Sequence, residues 1–177
     1  MPSAQQKLTS DGARRFFDYW DAIRGDDLVP DRKSFDPIAI RELMPAVTIL
    51  EIWSPERIVP RLAGTGVCDG MGLDPTGRNW LDLQRPELRE GYARRVTTQA
   101  NHPCGRRSIL RTRNVRGAVT RAEVIALPMT HALSGHKMLV SFFATLAILG
   151  YEDGGYQVLD FEETHWIDIG AGVPDWT

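Results

Sequence analysis

The chain has 177 residues, 42% of them hydrophobic and 25% charged, enough for one globular domain with a sizeable core and too apolar for a wholly disordered chain. Its formal charge of −2 supplies no global field for nucleic acid or an anionic membrane, so any basic patch must be local. Cys68 and Cys104, the only cysteines, have no CxxC spacing and build neither a disulfide scaffold nor a four-thiol zinc site; both are expected as reduced thiols of no special chemistry.

Residues 1–9 are polar and are expected outside regular structure. Ala13, Phe16, Phe17, Trp20 and Ile23 then recur at helical spacing. Ser10 or Asp11 is placed to cap the start and Gly25 the end, so an amphipathic helix with an aromatic face is predicted. Asp36-Pro37 reads as an N-cap followed by proline at the first helical position. Ile40, Leu43 and Met44 supply the apolar face of this second, shorter helix, which Pro45 stops. Val47 to Trp53 and Arg57 to Ala63 are strand-like on either side of a Ser54-Pro55-Glu56 turn, which predicts a hairpin. Pro60 lacks an amide donor and places the second strand at a sheet edge or a bulge.

Gly64, Gly66, Gly70, Gly72 and Gly77 follow. Each glycine inside a helix costs about 0.8 to 1.0 kcal/mol relative to alanine, so short helices and tight turns are expected. Pro86 opens a firmer helix with Leu88, Tyr92, Val96 and Ala100 on one stripe, ended by Asn101-His102-Pro103. Cys104 to Arg113, Ala118 to Leu127 and Lys137 to Ile148 read as three further strands, joined by connections short enough for consecutive antiparallel hairpins. The longest mostly apolar run, Met138 to Leu149, falls well short of the roughly 20 residues a transmembrane helix needs. The N-terminus lacks the apolar segment and cleavage site of a secretory signal. No membrane association and a cytoplasmic location are therefore expected. Strands that come in runs, rather than alternating with helices, give an α+β pattern.

Charge is distributed unevenly. Residues 151–177 carry Glu152, Asp153, Asp160, Glu162, Glu163, Asp168 and Asp175 with no lysine or arginine. Arg94, Arg95, Arg106, Arg107, Arg111, Arg113, Arg116 and Arg121 lie in a stretch with no acid. That stretch reads as a solvated sheet and helix face, with a dock for the acidic tail and a phosphate-binding surface as the alternatives. Solvation is the ordinary fate of such charge, and nucleic acid is not expected as a partner.

Several local strings point to a family. Tyr19-Trp20 with Arg24-Gly25, Pro30-Asp31-Arg32, Phe35-Asp36-Pro37, Leu43-Met44-Pro45, Arg61-Leu62-Ala63-Gly64-Thr65 and Thr76-Gly77-Arg78 occur in a fixed order. In that order and approximate spacing the chain resembles the stand-alone PAS-like proteins of alphaproteobacteria, the PAS_5 (DUF1457) family, over about residues 16–148. The resemblance implies a five-stranded antiparallel sheet with the helical middle folded across one face and a ligand-sized cavity between them. The corresponding division is an N-terminal helical extension at 1–45, a PAS-like core at 46–149 and an acidic C-terminal tail at 150–177. At Pro60 this sequence departs from the family, which tends to carry an aromatic there. The activity implied is sensing or protein interaction rather than catalysis.

The residues offer little for catalysis. Gly64 and Gly66 follow a strand, but the third glycine of GxGxxG falls on Asp69 and no GxxxxGK[ST] string exists, so turn geometry is favoured over phosphate binding. Cys68 sits where light-sensing PAS relatives place a flavin-reactive cysteine, yet Gly-Val-Cys-Asp-Gly does not resemble their signature, and a structural thiol is favoured. His102, His131, His136 and His165 lack the i, i+4 pairing of a helical metal site. Neither GxSxG nor HExxH occurs. No catalytic residues, metal, flavin or haem are expected, although an unidentified small ligand is compatible with the pattern.

Trp53, Met71, Trp80, Leu83, Met129 and Phe143 are candidates to line a pocket under the helical middle, or they fill the core. Arg61 joins them, its guanidinium snorkelling to the rim, paired with an acid such as Glu51 on the adjacent strand, or meeting an anionic ligand, with structural pairing favoured. Phe16, Phe17 and Trp20 are candidates for an interaction surface, packing on their own sheet or on a second subunit of a homodimer. Arg106, Arg107 and Arg111 are candidates for the same role. The expectation is a PAS-like regulator that binds a small ligand or a protein partner in signalling. A ligand-free adaptor of the same shape is the alternative, and an unrecognised enzyme comes third.

Overall fold

The computed structural model describes residues 8–175, so most of the polar opening lies outside the described residues. Within them, Leu8 is already buried. The first helix, α1, spans Asp11–Arg24; the Ser10 hydroxyl accepts the Ala13 N–H at 3.1 Å, and Gly25 ends the helix at φ 56°. From Pro37 to Leu43 the chain makes successive turns instead of the predicted helix, followed by a short 3-10 turn at Met44–Ala46. Pro45 leaves that segment too few residues to offset helix nucleation. Ile40 and Leu43 are nevertheless buried, as their apolar character requires.

Strands β1 (Val47–Ser54) and β2 (Arg57–Ala63) form the predicted hairpin. The helical middle follows as α2 (Thr65–Met71), a 3-10 turn at Trp80–Leu83 and α3 (Pro86–Asn101). Strands β3 (Gly105–Arg113), β4 (Ala118–Thr130), β5 (Lys137–Tyr151) and β6 (Gln157–Ile167) complete one sheet in the order β2-β1-β5-β4-β3-β6. Every pairing is antiparallel. β2 lies at the edge, with a register shift between Ile49 and Leu50 opposite Leu62 and Pro60.

Two expectations are corrected. The sheet has six strands, not five, because the acidic tail folds back as β6 along the arginine-rich β3, with Arg107 opposite His165 and Arg111 opposite Asp160. Arg107 pairs with Glu163 at 2.9 Å, Arg121 with Glu162 at 2.6 Å and Arg113 with Glu152 at 3.5 Å. Arg107, Arg113 and Arg121 are therefore a dock for the tail, while Arg94 and Arg116 stay exposed: an uncovered β3 would expose a row of unpaired amides and carbonyls flanked by like charge, and an acidic strand relieves both. Secondly, β4 does not stop at Leu127. β3 pairs with β4 only as far as Ala126, so the Pro128 backbone faces the side β3 has vacated, and its carbonyl accepts the Trp20 indole N–H at 2.9 Å.

Strand alternation divides the sheet into two buried faces. Ile49, Ile125, Leu127, Val140 and Phe142 meet α1 and the turns after it, with the Phe16 and Phe142 rings stacked at 5.6 Å. Leu50, Ile58 and Leu139 meet Met71, Trp80 and Val96 of the helical middle on the other face. Gly64 joins the two layers: its N–H reaches the Val47 carbonyl at 2.8 Å, and an added Cβ would fall on the carbonyl oxygens of Met44 and Pro45. Gly64→Ala is therefore expected to lose about 1–3 kcal/mol, read as a lower urea midpoint; an unchanged midpoint would show that the Met44–Pro45 backbone yields freely. No helix among the described residues is long and apolar enough to cross a membrane.

Candidate functional site: a cavity between the sheet and the helical middle

The sheet residues that face the helical middle are in part too short to fill the space. Thr48, Ser108, Thr112, Thr120, Ser141 and Thr145 all point to this side, and Gly66 and Gly70 approach from α2. A cavity of about 360 Å³ results, within the range of about 300 to 1,000 Å³ usual for small-molecule sites. Leu50, Val67, Met71, Leu110, Val124 and Phe143 supply apolar walls. Trp80, Gln84, Tyr92, Arg106 and Tyr156 add polar groups.

Those polar groups are largely unsatisfied. The Arg106 side chain has no hydrogen bond or ion pair among the described residues, and its Nη1 is sealed from solvent. Both amide atoms of buried Gln84 lack partners. The Trp80 indole N–H is turned toward the Tyr92 hydroxyl without closing a hydrogen bond. Burial lowers the pKa of the Arg106 guanidinium, opposed by Tyr92 and Cys104. Burial and the nearby Arg106 charge pull Arg95 down to about 10, and its guanidinium lies 4.1 Å from the centre of the Phe161 ring. Burial raises the Tyr92 and Tyr156 hydroxyls, so both are neutral donors at ordinary pH.

Of the pocket candidates, Met71, Trp80 and Phe143 line the cavity. Leu83 packs in the adjoining core. Met129 lies on the opposite face with Trp20, since it shares strand parity with Ile125 and Leu127 and not with Val124. Trp53, on β1 just past its pairing with β5, and Arg61, on the edge strand β2, lie outside the cavity lining. Trp53 is half-exposed, stacks on His136 at 5.4 Å, and donates its indole N–H to Glu51 at 2.9 Å. Arg61 pairs with the same carboxylate at 2.6 Å. Burial alone would raise the Glu51 pKa, but the bonds from Trp53 and Arg61 outweigh it and hold it low.

The surface candidates are placed inside the fold. Phe16, Phe17 and Trp20 are buried against the chain's own sheet. Arg107 is held by Glu123, Glu163 and the Thr9 hydroxyl. Arg111 is half-buried in the β3–β6 register, and Arg106 faces the cavity. Sequence reasoning missed Gln84, Tyr92, Arg106 and Tyr156 as cavity residues. The signal for Arg106 was the alternation Arg106, Ser108, Leu110, Thr112, which sets it on the opposite face from Arg107.

The thiols are poorly suited to nucleophilic work. Burial, then Asp74 and Asp69, raises the Cys68 pKa, and its Sγ lies 3.7 Å from the Ala63 carbonyl. Burial pushes Cys104 up to about 12. Among the described residues no group of three or more His, Cys, Asp or Glu comes together as a metal cluster. Residues 8–142 match the family model described as a PAS domain, PAS_5. No curated protein matches the chain.

Proposed function

Because the chain belongs to the PAS_5 family of PAS domains, we propose that it is a cytoplasmic, non-catalytic signalling regulator whose cavity takes up a small ligand and whose occupancy is passed on through a protein contact. The carrying observation is the cavity of about 360 Å³, covered in part by the helical middle and furnished with a few unsatisfied polar groups. No flavin, haem or metal belongs to this reading. A ligand acts by stabilising one of two populations. β5 offers the route outward: Phe143 touches the cavity, while the preceding residue, Phe142, stacks on Phe16 of α1 across the sheet. Ligand-induced adjustment of β5 would therefore reach the opposite face without a long relay.

Native mass spectrometry of gently purified protein, set against the denatured mass, is expected to show a retained small molecule. A thermal-shift screen across metabolites is expected to raise the unfolding temperature for at least one chemical class. Neither extra mass nor any shift would remove the ligand reading.

A second reading, an adaptor that works by protein contact alone, is favoured by the outer half of β5. β1 pairs with β5 only as far as Phe142, and beyond it Ile148, Leu149 and Tyr151 stand exposed on a strand with no strand neighbour on that side among the described residues. Two copies meeting edge to edge about a two-fold axis would cover these side chains. Light scattering at rising concentration is expected to show a dimer that Leu149→Lys disperses; a monomer throughout would dismiss this contact.

A further inference from the structure

Arg106 narrows the ligand further, and the inference rests on the cavity being a ligand site. The next residue shows how this chain treats a buried cation it needs for structure: Arg107 has Glu123 at 2.8 Å, Glu163 at 2.9 Å and the Thr9 hydroxyl at 2.9 Å. Arg106, 6% exposed, has no such partner among the described residues. The groups that act on it are the neutral Tyr92 hydroxyl and the Cys104 thiol, with no carboxylate among them. A second guanidinium, that of Arg95, stands close enough to feel its charge, and the Arg95 Nε is also without an acceptor. Arg106 thus lines the cavity with a second cation behind it, stacked on Phe161, and no carboxylate is paired with it. Burying an unpaired charge is strongly unfavourable, and an apolar side chain of similar volume would serve the empty fold better.

We propose that the ligand is a small organic acid whose carboxylate is held by Arg106 and whose apolar body lies against Leu50, Met71 and Phe143. Arginine meets a carboxylate with two parallel N–H donors, which a point charge does not match. The Gln84 amide N–H and the Trp80 indole N–H, both without acceptors, also line the cavity from the helical middle as further donors. A free phosphate fits less well: it carries more charge, holds its water more strongly, and has no use for the apolar walls.

The experiment compares octanoate and phenylacetate with their neutral amides and with inorganic phosphate, by calorimetry and thermal shift, on the wild type, Arg106→Met and Arg106→Gln. The acids are expected to bind and the amides and phosphate not. Both variants are expected to weaken acid binding by about tenfold or more, the scale of a lost charge-assisted hydrogen bond. Ligand-free Arg106→Met is expected to melt at or above the wild-type temperature, since it removes an unpaired buried charge. An Arg106→Met protein that folds but melts well below the wild type would mean the guanidinium is already satisfied within the fold, and would overturn the inference whatever binds. Amides that bind as tightly as acids, acids held equally by both variants, a preference for phosphate, or a retained neutral molecule in the purified protein would overturn the organic acid but leave the ligand site standing. Binding of no probe together with no retained mass would overturn both.

Discussion

Glu123→Gln is expected to cost the fold about 3–5 kcal/mol, the usual effect of removing one partner of a buried ion pair. The Glu123 carboxylate is 0% exposed and accepts from the Thr9 N–H at 2.8 Å, the Ser10 N–H at 2.7 Å and Arg107 Nε at 2.8 Å. It thereby fastens the start of α1 to β4 and neutralises a cation from β3. An amide cannot satisfy all three donors, because its own NH2 would face one of them. With a total stability of about 5–15 kcal/mol typical of a domain, such a loss is a large part of the whole. Urea unfolding at neutral pH measures it, and a midpoint within error of the wild type would refute the account.

The same group predicts a pH dependence. Burial works to raise the Glu123 pKa, but the hydrogen bonds from Thr9, Arg107 and Ser10 outweigh it, so the folded value lies below the ordinary one. A carboxyl depressed in this way adds stability above its unfolded pKa of about 4.3 and loses it as pH falls through the folded value. The wild type is therefore expected to weaken below about pH 4 to 5, and Glu123→Gln to show a shallower acid limb. Glu51 and Glu163, also held low by their partners, retain part of that slope in the variant.

Trp20→Ala is expected to lose about 3–5 kcal/mol as well, by the different mechanism of cavity formation. Trp20 is 1% exposed, its ring lies against Phe17 at 6.1 Å, and its indole donates to Pro128. Trp20→Phe separates the two contributions. It keeps most of the apolar contact but strands a buried carbonyl, for a loss of about 1–3 kcal/mol. Thermal unfolding of both variants should rank them in that order; equal losses would mean the indole N–H matters more than the volume.

The parts of the fold legible in the sequence are those decided locally. Ser10 and Gly25 bound α1, Pro86 opens α3, and Pro60 sends β2 to the edge, each by chemistry within a few residues. What escaped depends on distant chain. Residues 157–167 read as an acidic tail because their partner is β3, whose arginines lie about fifty residues or more earlier, as Arg111 opposite Asp160 shows. Pro128 reads as a strand end because nothing nearby tells where β3 stops. The candidate site follows the same division. Met71, Trp80 and Phe143 were found because apolar residues near the helical middle are good guesses for a pocket wall. Arg106 was grouped with Arg107 and Arg111 because charge is expected outside. Alternation separates Arg106 from its neighbour, but only the packing of α3 and β6 shows that its side of β3 is enclosed.

The return of the last strand onto β3 also orders the birth of the fold. Chains emerge from the ribosome at about 5–20 residues per second and begin folding from the N-terminal side. The five strands from β1 to β5 are therefore available while β3 still has one bare edge and Arg107 has Glu123 but not Glu163. For that interval the nascent sheet ends in a strand rich in arginine, open to acidic or anionic company other than its own tail. Delivery of Gln157–Ile167 closes it. A chain truncated just before β6 and released from the ribosome should thus display a sheet that is nearly formed yet still adhesive along a single side.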